Sequence, residues 1–153
     1  MRLADILSVD RVTVALRAGD KPSALRELAQ LLAGADARID PEAVATVFEE
    51  REALASTGVG SGVAIPHGRL PSVSQLRAAV GISTGGVDFD AIDGRPAHIL
   101  VAVLGPERQT GEHLKALARF SRLLRDDELR RQLLAAPSPE RALEIILEGD
   151  AAR

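Results

Sequence analysis

A single uninterrupted apolar run limits what this 153-residue chain can fold into. After its opening histidine, the segment HILVAVLG (residues 98–105) contains only aliphatic residues and a final glycine. Such a run suits a central strand that is buried on both faces, so other elements must cover both sides of its sheet. Helical and extended patterns occur on either side of it, which predicts an α/β domain with helices flanking a sheet.

Other strands follow from local patterns. RVTVAL alternates over residues 11–16, VAI forms a short extended segment at 63–65, and LRAAVGIS covers 76–83. Turn residues at Gly85–Gly86 and Asp93–Gly94 separate the last of these from the apolar run. These segments supply the neighbours that a central strand needs.

Helices are predicted from capping residues and apolar stripes. The N-cap candidates are Asp20, Asp40, Thr110 and Ser138. DELRRQLLAA continues as a further helix after the one predicted over residues 110–126. Gly149 is predicted to lie just past the last helix. The chain is therefore expected to be one domain over residues 1–153, ordered to about 148, with a tail at 149–153.

Composition excludes several classes of function. Cysteine is absent, which excludes disulfides, thiolate chemistry and cysteine-based metal sites. Tyr and Trp are absent too, so the stacking platforms of a single-strand nucleic-acid binder are missing. A net charge of −3 disfavours nucleic acid and anionic membrane as partners. With neither a signal peptide nor a membrane-spanning stretch in the sequence, a cytoplasmic protein without membrane insertion is expected.

The glycine-rich stretch TGVGSGVAIPHGR, residues 57–69, invites a nucleotide-binding interpretation that its spacing does not support. Its glycines follow G-x-G-x-G, not the G-x-G-x-x-G of a dinucleotide site, and no Gly-Lys-Ser/Thr is present. Ser61 is misplaced for the G-x-S-x-G of a nucleophile elbow. The simplest alternative is a tight loop whose glycines supply positive φ angles, with His67 incidental to it.

Two side chains outside the loop favour a role for His67. Arg51 continues the apolar stripe of its helix, so it either packs its stem on the core with its head in solvent or clamps an anion. His113 lies on the stripe of a later helix and in its first turn, where free N–H groups favour an anion. The structural alternative for His113 is a neutral histidine at the edge of the core.

A three-histidine metal site is conceivable, but the spacings between His67, His98 and His113 are long and no H-x-x-x-H pattern pins them together. His98 has no partner pattern and is predicted to be structural or to lie on the surface. His67, Arg51 and His113 together suit a histidine that accepts a phosphoryl group, because neutral imidazole is a nucleophile near pH 7 and phosphoryl transfer needs mainly positioning and positive charge. The glycines would then let backbone N–H groups approach the phosphoryl oxygens.

The stretch REALASTGVGSGVAIPHGR, residues 51–69, resembles the active-site signature of the enzyme IIA domains of the bacterial phosphotransferase system, in the fructose/mannitol/nitrogen class. Residues 109–147 resemble the C-terminal half of that family, in which a second active-site histidine opens a helix, and residues 3–33 fit its N-terminal strand and helix. The resemblance implies an α/β sandwich with a mixed sheet of about five strands. FDAIDGRPAHILVAVLGP, residues 89–106, looks most like the nitrogen-type branch.

The resemblance also implies a role for each site residue. His67 would be phosphorylated on Nε2, Arg51 would contact the phosphoryl group, and His113 would lie against it and help to stabilise it. The further candidates for contact with the phosphoryl group are Ser56, Thr57, Gly60 and Arg69. No cofactor, nucleotide or metal is implied.

The implied donor is a phosphorylated carrier of the HPr type, in its nitrogen-branch version NPr. Two hypotheses follow: a phosphocarrier that passes the group on, or a regulatory module whose partners read the phosphorylation state of His67. In the sugar-transport alternative, the receiver is an EIIB component of the fructose/mannitol class. A domain without chemistry is the remaining alternative.

Overall fold

The predicted central strand lies in the middle of a six-stranded mixed sheet in the computed structural model, which describes residues 1–108 and 110–153. This strand is buried throughout except at His98. The strands in chain order are β1 (Val12–Thr13), β2 (Gly58–Gly60), β3 (Val63–Ala64), β4 (His67–Arg69), β5 (Arg77–Val87) and β6 (Ala97–Gly105).

The sheet follows the order β1-β5-β6-β3-β2, and β4 also pairs with β6. β5 runs antiparallel to β6, whereas β3 and β4 both run parallel to β6 along its other side. β3 and β4 form one extended segment that is interrupted at Ile65–Pro66. In the β4–β6 pairing His67 lies opposite Val103 and Arg69 lies opposite Gly105, so the start of β4 is close to the carboxyl end of β6.

Five helices complete the domain: α1 (Lys21–Ala33), α2 (Pro41–Leu54), α3 (Thr110–Leu123), α4 (Asp127–Leu134) and α5 (Pro139–Ala151). The predicted caps Asp20, Asp40 and Ser138 each accept a hydrogen bond from a backbone N–H in the first turn of their helix. Thr110 is the first helical residue of α3 instead of its cap, and the preceding position lies outside the described residues.

The helices cover the two faces of the sheet as separate layers. Leu100, Ala102 and Leu104 of β6 pack with α1 and α2, while the alternate residues of β6 pack with α3, α4 and α5. This division explains the uninterrupted apolar run, because each face of β6 needs its own set of aliphatic side chains. The predicted α/β sandwich with a mixed sheet is confirmed. Across the described ranges, none of the helices is both long and apolar enough to cross a bilayer.

Two predictions about the strands are wrong. Gly85–Gly86 lies inside β5, where the pairing with β6 shifts register between Ile82 and Val87, so the two glycines form an irregularity in the strand instead of a turn. The turn predicted at Asp93–Gly94 is present, and there the Gly94 N–H donates to the Ala91 carbonyl. β1 is also much shorter than the strand predicted over residues 11–16.

The last helix extends past Gly149 to Ala151, so the predicted tail at 149–153 begins as helix. Asp150 is 6% exposed and accepts hydrogen bonds from the Leu3 N–H at 2.9 Å and from the Arg119 side chain at 2.7 Å. A buried carboxylate requires such partners. Asp150 thereby joins the two ends of the described chain to α3.

Candidate active site

His67 is the first residue of β4 and is half-buried. Its Nδ1 lies 2.8 Å from the carbonyl oxygen of Ile65. Because a carbonyl oxygen can only accept, Nδ1 carries the proton and the lone pair of the neutral ring is on Nε2. The structure therefore leaves Nε2 as the nucleophilic atom of His67.

Gly68 allows β4 to approach α2 closely. A Cβ atom at position 68 would lie 2.3 Å from Cγ1 of Val47, so a side chain there would force Val47 or the backbone to move. Successive side chains of a strand point to opposite faces, so His67 and Arg69 point away from α2 and toward α3. The glycine after the histidine is thus a packing requirement.

His113 meets His67 from the first turn of α3. The two ring centroids are 5.7 Å apart and the planes are inclined at 60°. His113 is 5% exposed, and within the described part of the chain its Nδ1 has no hydrogen-bond partner. An N–H without an acceptor is costly to bury, so the neutral ring carries its proton on Nε2, where it can donate.

Both imidazoles are neutral at pH 7. Burial lowers the pKa of His67, and the nearby Arg51 and Arg69 guanidinium groups act in the same direction. The hydrogen bond to Ile65 and the Glu52 carboxylate oppose this shift without reversing it. Burial, together with the proximity of His67 and Arg69, lowers the pKa of His113 to about 4. One ring is therefore available as a nucleophile and the other as a neutral hydrogen-bond donor.

Two arginines bring positive charge to the rings. Arg51 lies in the last turn of α2, is half-buried, and donates from Nη1 to the Ala55 carbonyl at 2.8 Å. Arg69 is exposed and donates from Nη1 to the Thr110 hydroxyl at 2.8 Å. Each guanidinium retains further N–H groups that can bind an anion.

These side chains open onto one cavity of about 580 Å³. It is lined by Arg51, His67, Gly68, Arg69, Glu107, Thr110, His113, Leu114 and Leu117. Among these residues the guanidinium groups of Arg51 and Arg69 outnumber the single carboxylate of Glu107. This excess of positive charge suits a small anion such as a phosphoryl group. Sequence reasoning missed Glu107, although its position in the loop after the carboxyl end of β6 could have drawn attention to it.

Ser56 and Thr57 line a smaller adjoining cavity of about 230 Å³, which shares Arg51, His67 and Leu117 with the larger one. Their hydroxyl groups already have acceptors. The Ser56 hydroxyl donates to the Phe89 carbonyl, and the Thr57 hydroxyl donates to the Glu52 carboxylate. Both residues are near the predicted site, but their hydroxyl protons are engaged in holding the loop.

Gly60 is not brought to the His67 cavity. The glycine-rich stretch forms a hairpin of β2 and β3, with positive φ angles of 57° at Ser61 and 78° at Gly62 in its two-residue turn. Gly60 instead faces Asp93, whose carboxylate accepts from the Ser61 N–H at 2.8 Å. These glycines therefore serve a tight turn, and the predicted clearance for phosphoryl oxygens is not found at Gly60.

His98 lies away from the other two histidines. Its Nδ1 is 2.9 Å from the Ser83 carbonyl of the neighbouring strand, and its ring packs near Gly62 and Gly86. It lines neither of the cavities that contain His67. The structure brings together His67, Arg51, His113 and Arg69, and leaves His98 and Gly60 outside.

Comparisons with known proteins match this architecture to one family. The model of the EIIA 2 family of the phosphoenolpyruvate-dependent sugar phosphotransferase system matches residues 5–149. A nitrogen regulatory protein from Bradyrhizobium diazoefficiens is 38% identical over 136 residues, which cover 89% of this chain and 88% of that protein. The crystal structure of the nitrogen regulatory protein IIA-Ntr from Neisseria meningitidis gives a TM-score of 0.87 at 32% identity, and the match covers 94% of this chain and 98% of that one.

A relative with a sugar-specific name is similarly close. The fructose-specific EIIABC component of Bacillus subtilis is 34% identical over 150 residues, which cover 98% of this chain. The match covers only 24% of that protein, so this chain spans about a quarter of its length.

Proposed function

Because the chain belongs to the EIIA 2 family of the phosphoenolpyruvate-dependent sugar phosphotransferase system, we propose that it is a phosphohistidine carrier and regulator of the nitrogen branch of that system. It accepts a phosphoryl group on Nε2 of His67 from a phosphorylated HPr-type protein, NPr. Regulatory partners then respond to its phosphorylation state.

The observation that carries this proposal is the hydrogen bond from His67 Nδ1 to the Ile65 carbonyl. The Nε2 lone pair attacks the phosphorus of the donor phosphohistidine. The new Nε2–P bond forms as the donor N–P bond breaks, and its electron pair returns to the donor ring. His67 keeps its Nδ1 proton, so its ring becomes positively charged and the Ile65 carbonyl stabilises that charge.

Three groups stabilise the phosphoryl oxygens in this proposal. The guanidinium groups of Arg51 and Arg69 line the cavity beside His67, and the neutral His113 ring supplies an Nε2–H donor. Phosphoryl transfer depends on positioning and charge stabilisation more than on acid–base catalysis. The transfer therefore needs no general base at Nε2, because the attacking nitrogen of the neutral ring carries no proton.

Similarity to nitrogen regulatory proteins favours the nitrogen branch, since both a sequence relative and a solved structure above 30% identity carry that name. The fructose-specific relative favours a second candidate, a sugar-transport EIIA that passes the phosphoryl group to an EIIB. The two candidates share the chemistry of His67 and differ in the receiver.

Reconstitution tests the shared chemistry. The chain is incubated with phosphoenolpyruvate, the first enzyme of the system and an HPr-type carrier, and its intact mass is measured. We expect wild type and the control His98→Ala to gain one phosphoryl group and His67→Ala to gain none. No gain in wild type, or the same gain in His67→Ala, would overturn the proposal.

The receiver distinguishes the branches. Phosphorylated chain is mixed with a purified EIIB of the fructose class, and loss of the label from His67 is followed. We expect the label to remain on the chain, and we expect NPr to be a faster donor than HPr. Rapid transfer to EIIB together with faster donation by HPr would replace the nitrogen assignment with the sugar-transport one.

A further inference from the structure

We propose that Glu52 is a positioning residue for this transfer, because it withholds the Thr57 N–H from the Ile65 carbonyl and so reserves that carbonyl for His67. The inference rests on the proposed function of His67 and concerns how its tautomer is set. Glu52 does not contact the phosphoryl group in this scheme.

The Glu52 carboxylate is buried and fully engaged. Its side chain is 5% exposed and forms an ion pair with Lys21 at 3.0 Å. The Thr57 N–H donates to both carboxylate oxygens, at 3.1 and 3.2 Å, and the Thr57 hydroxyl donates to one of them. Glu52 therefore holds Thr57, the last residue of the α2–β2 connection, by its backbone and its side chain.

A regular hairpin would use the Thr57 N–H differently. Gly58 is paired with Ala64, so the same register places Thr57 opposite Ile65. Hydrogen-bonded pairs of antiparallel strands exchange two bonds, one in each direction. Here the Ile65 N–H donates to the Thr57 carbonyl at 3.0 Å, but the Thr57 N–H donates to Glu52 instead of the Ile65 carbonyl.

The Ile65 carbonyl, which receives no hydrogen bond from Thr57, accepts one from His67 Nδ1 at 2.8 Å. A competing N–H donor at that oxygen would weaken the bond that keeps the His67 proton on Nδ1. The lone pair would then spend more time on Nδ1 and less on Nε2. Glu52 thus acts on the nucleophilic atom through Thr57 and Ile65.

The same loop also holds Arg51. Its guanidinium donates to the Ala55 carbonyl, two residues before Thr57, and Ser56 between them is tied to the Phe89 carbonyl. A displacement of Thr57 would therefore shift the anchor of Arg51 together with the tautomer of His67. The buried Glu52 carboxylate accordingly positions both His67 and Arg51 for the phosphoryl group.

Glu52→Gln is the main test, because it keeps the volume and places an NH₂ group against Lys21 and Thr57, which are donors. Its matched control is Glu50→Gln, an exposed residue of the same helix. The readout is the His67 tautomer in the unphosphorylated protein, measured by long-range ¹H–¹⁵N correlation NMR. The His98→Gln variant removes the signals of the His98 ring and so helps to assign those of His67. This measurement is independent of whether the chain can be phosphorylated.

We expect wild type and Glu50→Gln to hold His67 with its proton on Nδ1. In Glu52→Gln the population of the other tautomer rises about fivefold, the change that corresponds to one ordinary hydrogen bond. The initial rate of phosphorylation falls in proportion to the population that the Nδ1–H tautomer loses, while the final level is unchanged. An unaltered tautomer population in folded Glu52→Gln would overturn the inference.

Two further variants separate positioning from stability. Lys21→Met removes the ion pair and leaves the bonds to Thr57, so it should lower the unfolding temperature without moving the tautomer. Glu52→Asp keeps the charge, but its side chain is too short to hold Thr57, so it should change the tautomer populations of His67. It replaces Glu52→Gln as the test if that variant fails to fold. If Lys21→Met shifts the tautomer as much as Glu52→Asp does, the shift results from lost stability and not from the bonds to Thr57. That result would overturn the inference.

Failure of the proposed function gives a different result. If wild type gains no phosphoryl group and Glu52→Gln still shifts the His67 tautomer, the positioning role stands and the transfer does not. If wild type is phosphorylated and no Glu52 variant changes either readout, the transfer stands and the positioning role is removed.

Discussion

The imidazole of His113 packs so closely on Gly105 that a Cβ atom there would lie 3.0 Å from Nδ1 of the ring. The same atom would lie 2.9 Å from the Leu76 side chain. Gly105→Ala should therefore displace His113, destabilise the fold by about 1–3 kcal/mol through overpacking, and slow phosphorylation of His67. Urea unfolding and initial rates of phosphorylation measure the two effects.

Gly111→Ala is the control for Gly105→Ala. A Cβ atom at Gly111 would meet nothing within 4 Å, and the residue is inside α3. Alanine should be neutral there or stabilise the helix by about 0.5–1 kcal/mol. If the two variants unfold and react alike, the packing of His113 on Gly105 does not position the ring.

Stability should depend on pH through His113. The pKa of this ring falls from its ordinary value of 6.5 to about 4 in the folded protein. The folded chain binds fewer protons than the unfolded chain between these limits, so stability present above pH 6.5 is lost as the pH falls toward 4. The lowered pKa of His67 acts in the same direction.

The urea midpoint measured from pH 7.5 to pH 4 tests this dependence. His113→Gln removes the titrating ring and should reduce the loss of stability in that window. Carboxylates still lose stability at lower pH in both proteins, which makes the difference between them the relevant quantity. Equal pH dependence in the variant and wild type would contradict the assignment.

Arg51→Ala should slow phosphorylation of His67 about ten- to a hundredfold, the effect expected when a charge-assisted hydrogen bond is lost. Arg51→Lys should recover only part of the rate, because an ammonium cannot provide the planar fork of a guanidinium. Arg38→Ala, an exposed arginine paired with Asp36, is the control. A wild-type rate in Arg51→Lys would mean that the fork is not used.

Gly68→Ala should destabilise the protein by about 1–3 kcal/mol, since its Cβ would lie 2.3 Å from Val47 Cγ1. Val47→Ala removes the obstructing atom and should rescue Gly68→Ala in the double variant. A double-mutant cycle of unfolding free energies measures this coupling. Additive effects of the two substitutions would contradict the contact.

The layer structure and the main candidate residues of the cavity could be predicted from the sequence because they follow from local patterns. The apolar run in β6 fixed the central strand, and the caps Asp20, Asp40 and Ser138 placed three helices. The apolar stripe that ends at Arg51 directed that residue inward. Periodicity thus indicates the direction of a side chain even where it does not identify the neighbour.

The errors occur where tertiary pairing determines local structure. Gly85–Gly86 has the composition of a turn, but the register shift between β5 and β6 uses both glycines within a strand. Gly149 has the composition of a helix end, yet the pairing of Asp150 with Arg119 and Leu3 continues α5 beyond it. The hydrogen bond from His67 to the Ile65 carbonyl depends on how β2 and β3 pair, which the residues of neither strand alone predict.

The register of β4 against β6 also decides which face of the sheet His67 lies on. Side chains alternate between the faces, so a slip of one residue would turn His67 toward α2 and place residue 68 on the side of α3. The space beside Val47 holds no more than a hydrogen atom, and an imidazole could not enter it. Because Gly68 has no side chain, β4 fits against α2 only in the register that brings His67 to His113.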